Sequence, residues 1–227
     1  MNPVFRLLGL CGLVLALLSG CASKPVAPYD YSHFTASNPR SILVLPPLNK
    51  TPDVRASHSM LAQVTWPLAE SGYYVMPVSL VDETLRENGV TEASIAHELP
   101  TAKLREIFGA DAVLYLDITA YGTVYQVLNS HTTVAANARL VDLKTQQLLW
   151  QGSARASTAE QQNQQQGGLL GLLINAAIQQ IANTVSEKSH EMAGITSQRL
   201  LRAGGSHGLL YGPRSPHHDQ QRATLAK

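Results

Sequence analysis

Apolar residues recur along the chain with two different periods, and the switches between them mark out the elements. Ser41-Ile42-Leu43-Val44-Leu45, closed by Pro46-Pro47, predicts a short buried strand. Asp53 is placed to cap a helix with Val54, Leu61, Val64 and Leu68 turned inward, bent near its end by Pro67 and stopped by Gly72. Tyr73 to Pro77 predicts a second strand. A helix from about Val78 to Asn88 follows, with Leu80, Val81, Thr84 and Leu85 inward and Gly89 as its stop. Thr91 to Glu98 and Thr101 to Phe108 are expected as two shorter helices on either side of Pro100. Ala112 to Ile118 is apolar on both faces for most of its length, the pattern of a central strand.

From Gly122 onward the period becomes two. Val134, Ala136, Ala138 and Leu140 alternate with Thr133, Ala135, Asn137 and Arg139, so the runs Tyr125 to Asp142 and Leu148 to Ala156 predict an antiparallel hairpin covered on one face. A Gln-rich stretch, Gln161 to Gln166, reads as a spacer. It leads through Gly167-Gly168 into a helical tract reaching about Leu201, with Leu170, Ile174, Ile178, Ile181 and Val185 on one stripe. Residues 204–227, with Pro213, Pro216 and His217-His218, are expected to be a disordered tail. The fold class is therefore α/β: a single three-layer-like sandwich over residues 40–203. Its mixed sheet of about five strands ends in an antiparallel hairpin and a C-terminal helix.

The N-terminus carries a different signal. Arg6 is followed by an almost unbroken apolar run, Leu7 to Leu18, and then by Ser19-Gly20-Cys21. These are the charged region, the short apolar region and the small-residue cleavage site of an export signal, residues 1–20. The run falls short of the roughly 20 apolar residues that span a bilayer. Leu18-Ser19-Gly20-Cys21 resembles the lipobox of bacterial lipoproteins. That resemblance implies cleavage between Gly20 and Cys21, with the Cys21 thiol carrying a diacylglycerol and its freed amine a further acyl chain. Two or more chains make a stable anchor where one does not. Ala22-Ser23 follows where lipoproteins kept at the inner membrane often carry Asp, which implies sorting to the outer membrane on its periplasmic face. Residues 21–39, with Pro25, Pro28 and Pro39, read as a lipidated tether. Tyr29, Tyr31 and Phe34 are unusual in a bare linker, and either pack on the domain or meet the lipid interface.

Composition narrows the classes further. Cys11 lies inside the discarded peptide, so Cys21 is the sole cysteine of the mature chain and no internal disulfide forms. A formal net charge of +1 without a dense Lys/Arg cluster excludes a nucleic-acid surface. Removing residues 1–20 from 227 leaves 207, enough for one good core.

Two runs carry a family resemblance: Ser71-Gly72-Tyr73-Tyr74-Val75-Met76-Pro77-Val78 and Phe108-Gly109-Ala110-Asp111-Ala112-Val113-Leu114-Tyr115. They resemble the bacterial lipoproteins of unknown function typified by a neisserial surface antigen. The Arg139-Leu140-Val141-Asp142-Leu143-Lys144-Thr145 turn is similar to the broader group of CsgG and the TolB N-terminal domain. The resemblance spans roughly Arg40 to Leu201. It implies a periplasmic domain tethered to the outer membrane and engaged in envelope assembly, transport or secretion. The family has no known catalytic residues, so none are carried over. A CsgG-like channel is not expected, because neither Tyr121 to Ser130 nor Glu160 to Ala176 offers the paired strands of about 9–11 residues that a barrel needs.

Candidate chemistry is sparse. His58, His97, His131 and His190 show no metal-ligand spacing, and Gly167-Gly168-Leu169-Leu170-Gly171 lacks the Lys-Ser/Thr of a phosphate loop. Asp117, inside an apolar strand, is the one suspicious carboxylate, and a satisfied strand-end residue is its plainer reading. No metal or other cofactor is called for. Leu169, Leu170, Leu172, Leu173 and Ile174 carry more apolar surface than one sheet contact requires, which suits either core packing or contact with a partner, a second copy or the bilayer. The leading reading is a non-enzymatic lipoprotein acting through envelope proteins, with homo-oligomerisation open. Two alternatives stand beside it: an activator of peptidoglycan synthesis, whose 18-residue tether would span at most about 60 Å, and an envelope hydrolase with a dispersed site.

Overall fold

The structure, a computed structural model, describes residues 29–124, 130–160 and 185–225. In chain order the elements are α1 (Ser32–Ser37), β1 (Ser41–Val44), β2 (Leu48–Asn49), α2 (Ala56–Glu70), β3 (Tyr74–Val75), α3 (Val78–Glu87), α4 (Ala93–Glu98), α5 (Thr101–Phe108), β4 (Ala112–Val124), β5 (His131–Asp142), β6 (Leu148–Ser157), α6 (Val185–Leu201) and α7 (His218–Leu225). The sheet runs β3-β1-β4-β5-β6, with β2 also on β4. β1 is parallel to β3 and β4, and each parallel step is bridged by helix, as such crossovers require. β4, β5 and β6 are antiparallel. Between β5 and β6 the chain turns because Asp142 Oδ1 accepts the Lys144 and Thr145 N–H groups, each at 2.7 Å.

Alternation along the strands sorts side chains into two layers. Ile42, Val44, Leu114, Leu116, Ile118, Val134, Ala136, Ala138 and Leu140 face α2 and α6, meeting Met60, Val64, Leu68, Met192, Ala193 and Leu201. Leu43, Leu45, Val113 and Tyr115 face the other way onto Val81 and Leu85 of α3, Ala96 of α4 and Leu104 of α5. Helices thus lie on both sides of a mixed sheet, as the sequence predicts. The second helical layer covers only the near end of β4, up to Tyr115.

Several expectations need correcting. Val54 is 84% exposed, because α2 opens only at Ala56. Asp53 does not cap that helix; its carboxylate is taken by the Arg55 guanidinium and backbone N–H. Leu80 is 63% exposed because it lies one position before Val81, about 100° round the α3 axis from the Val81/Leu85 stripe. β4 runs six residues past Ile118, to Val124.

The largest correction concerns the two ends. The expected disordered tail is ordered from Gly204 to Leu225 and docks on the domain, with Leu209 and Leu210 in the α2/α6 core. Gly72, at φ +94°, makes the dock possible: a Cβ there would lie 2.4 Å from the Ser215 nitrogen. Gly212 N–H donates to the Ser71 carbonyl at 2.8 Å, and the Tyr73 hydroxyl to the Leu210 carbonyl at 2.6 Å. Of the two alternatives for Tyr29, Tyr31 and Phe34, packing on the domain is the one observed. Phe34 is buried, the Tyr31 hydroxyl donates to the Gly208 carbonyl at 2.6 Å, and the Tyr29 hydroxyl accepts the Gln151 N–H at 3.1 Å. Arg222 reaches from α7 to the Thr35 carbonyl, so the two terminal segments are stitched to each other. Glycines and prolines made residues 204–227 look unstructured. The two leucines that fill the core were too few to show as a period.

Candidate functional site

Just beyond Tyr115 no described helix covers the β4-β5-β6 face turned away from α2 and α6, and Asn137, Arg139, Gln151 and Ser153 are exposed there. Cross-strand pairing sets its residues in rows: Tyr115 beside Arg139 beside Gln151, then Asp117 beside Asn137 beside Ser153. Together they line a cavity of about 480 Å³. The Arg139 guanidinium lies over the Tyr115 ring, 5.1 Å from its centroid. His97 meets the same ring edge-on at 5.1 Å, and its Nε2 lies 2.9 Å from the Pro46 carbonyl. Burial lowers the His97 pKa, although the hydrogen bond to Pro46 opposes it. Burial likewise pushes the Tyr115 phenol up, against the pull of Arg139. Both rings are therefore neutral near pH 7, which leaves Arg139 and Lys50 as the cations beside the cavity, with Arg155 farther along β6 on the same face.

Asp117, the one suspicious carboxylate, is accounted for by its neighbours. It stands where β2 joins β4, and the Lys50 ammonium holds it at 2.9 Å. Among the described residues Arg139 has no carboxylate within ion-pair distance, and the side chains of Asn137, Gln151 and Ser153 make no hydrogen bonds. The cavity offers the Arg139 guanidinium, two amides and a hydroxyl free to meet a polar ligand.

A second polar cluster joins two helices. His190 of α6 sits with Nδ1 2.9 Å from the Ser59 hydroxyl and Nε2 2.7 Å from the Gln63 amide, both on α2. No carboxylate orients the imidazole among the described residues, and the site is exposed, so the trio acts as a clasp between α2 and α6. The remaining histidines stay apart: His58 on α2, His97 on α4 and His131 on β5. Among the described residues no group of three or more His, Cys, Asp or Glu side chains could hold a metal ion. Nor is any described helix long and apolar enough to cross a membrane. His217 and His218, expected in a solvated tail, pack instead: the His217 ring is 5.1 Å from Tyr211, and His218 Nε2 is 3.1 Å from the Asn38 amide oxygen.

Gly20 and Cys21 of the cleavage and lipidation site lie outside the described residues, as do Leu169, Leu170, Leu172, Leu173 and Ile174. In the sequence Asn137 and Arg139 stand only as the polar half of an alternation, and Gln151 and Ser153 carry no motif. Their shared signal is the period itself, which sets all four on one face.

Residues 29–214 match the model of the family described as "Putative lipoprotein GNA1162-like". The chain is 46% identical over 214 residues to "Putative lipoprotein NMB1124/NMB1162" of Neisseria meningitidis serogroup B, covering 94% of this chain and 97% of the relative. The crystal structure of lipoprotein GNA1162 from Neisseria meningitidis is similar at 50% identity, with a TM-score of 0.50, over 64% of this chain and 100% of that one. A more distant likeness is the LpoB C-terminal domain of Salmonella enterica, at 17% identity and a TM-score of 0.38, over 52% of this chain and 82% of that one. At that level of likeness nothing about function transfers.

Proposed function

The chain belongs to the GNA1162-like lipoprotein family, and we propose that it is an outer-membrane lipoprotein, anchored through an acylated Cys21 on the periplasmic face, that works without catalysis by binding envelope proteins. Envelope assembly, transport or secretion is the setting. Kinship with CsgG and the TolB N-terminal domain belongs to the same reading, and the mixed sheet ending in a hairpin and a C-terminal helix supports it.

The observation that carries this reading is the packing of Tyr29, Tyr31 and Phe34 onto the domain. With those residues fixed, only residues 21–28 separate the anchor from the body. Eight residues span at most about 29 Å in any conformation. A domain on so short a leash stays beside its own membrane, so partners in or near the outer membrane are favoured. The same length weighs against activation of a peptidoglycan synthase across the periplasm, which the full 18-residue tether would have served better. The apolar run Leu169, Leu170, Leu172, Leu173 and Ile174 supplies a second contact in this reading. In sequence it belongs to the connection between β6 and α6.

Cell fractionation with in-cell crosslinking tests the proposal. The native protein is expected in the outer membrane, crosslinked to proteins of that membrane, and Cys21→Ala in the soluble periplasm. Identical fractionation of the two, or crosslinks only to inner-membrane proteins, contradicts it.

A further inference from the structure

The open face of β4-β5-β6 has features that a merely solvated sheet surface lacks. Exposed arginines are ordinarily mobile, with long side chains whose ordering on binding costs entropy. Arg139 is instead laid on the Tyr115 ring, and Tyr115 is itself packed by His97 and 7% exposed. The guanidinium is thus held in place with its donors free. The carboxylate best placed to neutralise it, Asp117 on the neighbouring row, is held by Lys50 at 2.9 Å instead. Arg155, two residues past Ser153, lies outside the cavity lining, so with His97 and Tyr115 neutral the cavity keeps the Arg139 charge unanswered.

Around that charge stand Asn137, Gln151 and Ser153, with no hydrogen bonds from their side chains among the described residues. A cavity of about 480 Å³ is larger than a bare carboxylate needs, and lies within the roughly 300–1,000 Å³ of small-ligand sites. A planar fork of donors matches a carboxylate in two parallel hydrogen bonds. Amides and a hydroxyl alongside match a peptide's own N–H and C=O groups.

We propose that this face is a binding site for the free C-terminal carboxylate of a short peptide segment, with Arg139 gripping the carboxylate and Asn137, Gln151 and Ser153 meeting the adjoining peptide groups. The site goes beyond the anchored-lipoprotein reading and stands or falls separately from it. Lipidation at Cys21 can fail while the face still binds, and the reverse.

The test uses the full chain, purified in mild detergent, titrated with N-acetyl-alanyl-alanine as the free acid and as the C-terminal amide. Backbone amide shifts are followed by NMR. The free acid is expected to move resonances at Tyr115, Asn137, Arg139, Gln151 and Ser153. The amide is expected to bind at least about tenfold more weakly, since it removes a charge-assisted pair. Sodium acetate as a third probe is expected to bind more weakly than the free acid, separating a peptide terminus from any small carboxylate. Arg139→Gln is expected to lose binding of the free acid by a similar factor while its circular dichroism stays that of the native protein. Equal binding of acid and amide, acetate binding as well as the peptide, binding unaffected by Arg139→Gln, or no shifts at about 10 mM peptide acid (a concentration near the millimolar limit of weak binding) would each overturn the proposal.

Discussion

The two faces of β5 are built from alternate residues of one strand, and they could hardly differ more. Val134, Ala136, Ala138 and Leu140 are at most 2% exposed and lie under α2 and α6. Asn137 and Arg139, interleaved with them, are exposed and frame a cavity. The apolar set fixes the strand's register, because a slip by one residue would put Arg139 into the core and Leu140 into water. The polar set is thereby held in rows it did nothing to create. The stable face and the receptive face share a backbone, so the chemistry of one inherits its precision from the packing of the other.

The contrast breaks most severely at its closed side. Leu140→Ala removes a fully buried side chain, and urea unfolding is expected to show a loss of roughly 2–5 kcal/mol. The strap that completes this layer is the next most sensitive point. Gly72→Ala forces a Cβ against the Ser215 nitrogen at positive φ and is expected to cost about 1–3 kcal/mol. Limited proteolysis should then cut beyond Gly212 faster than in the native chain.

Acid should act more gently, through Asp142 at the β5–β6 turn and His97 beside the receptive side. Burial alone would raise the Asp142 pKa, but hydrogen bonds from the Ser37 hydroxyl and from the Thr145 and Lys144 backbone outweigh it and hold it below the usual 3.8. Its stabilising contribution is therefore present above that value and lost as pH falls through the folded pKa. His97 is depressed below 6.5 by burial, so the unfolded chain takes up the proton first. Its contribution is full above 6.5 and fades as pH falls from there. His97→Gln is expected to flatten the stability profile just below 6.5 and leave the acid limb of Asp142 unchanged, as read by thermal unfolding across pH. Arg139→Gln on the exposed side is expected to change stability by no more than about 0.5 kcal/mol, one residue away from the most damaging site of all.

Much of this arrangement could be read in the chain beforehand. The period-two run in β5, the crossover helices and the Gly72 stop all follow from local rules. The Ser71-Gly72-Tyr73 run carried the family resemblance, and its physical role as the dock for residues 209–215 shows only in three dimensions. Two long-range matters escaped. Leu209 and Leu210 sit among glycines and prolines with no period to betray them, so their burial depends on partners such as Tyr73, 137 residues before Leu210. The other is the receptive face. That Arg139 rests on Tyr115, and that Lys50 rather than Arg139 answers Asp117, depend on pairings between strands that no local pattern encodes. At Tyr29, Tyr31 and Phe34 aromatic character in a proline-rich stretch leaves packing and the lipid interface both open, and only the fold selects packing.

The proposed location and reach depend on acylation of Cys21 at the head of a processed chain. Intact-mass and peptide mass spectrometry of the protein from its own cells measures this directly. A first residue of Cys21 bearing a diacylglycerol, with an acylated amine, is the expected result. A chain that still begins at Met1, or a Cys21 free of fatty acid, would contradict it.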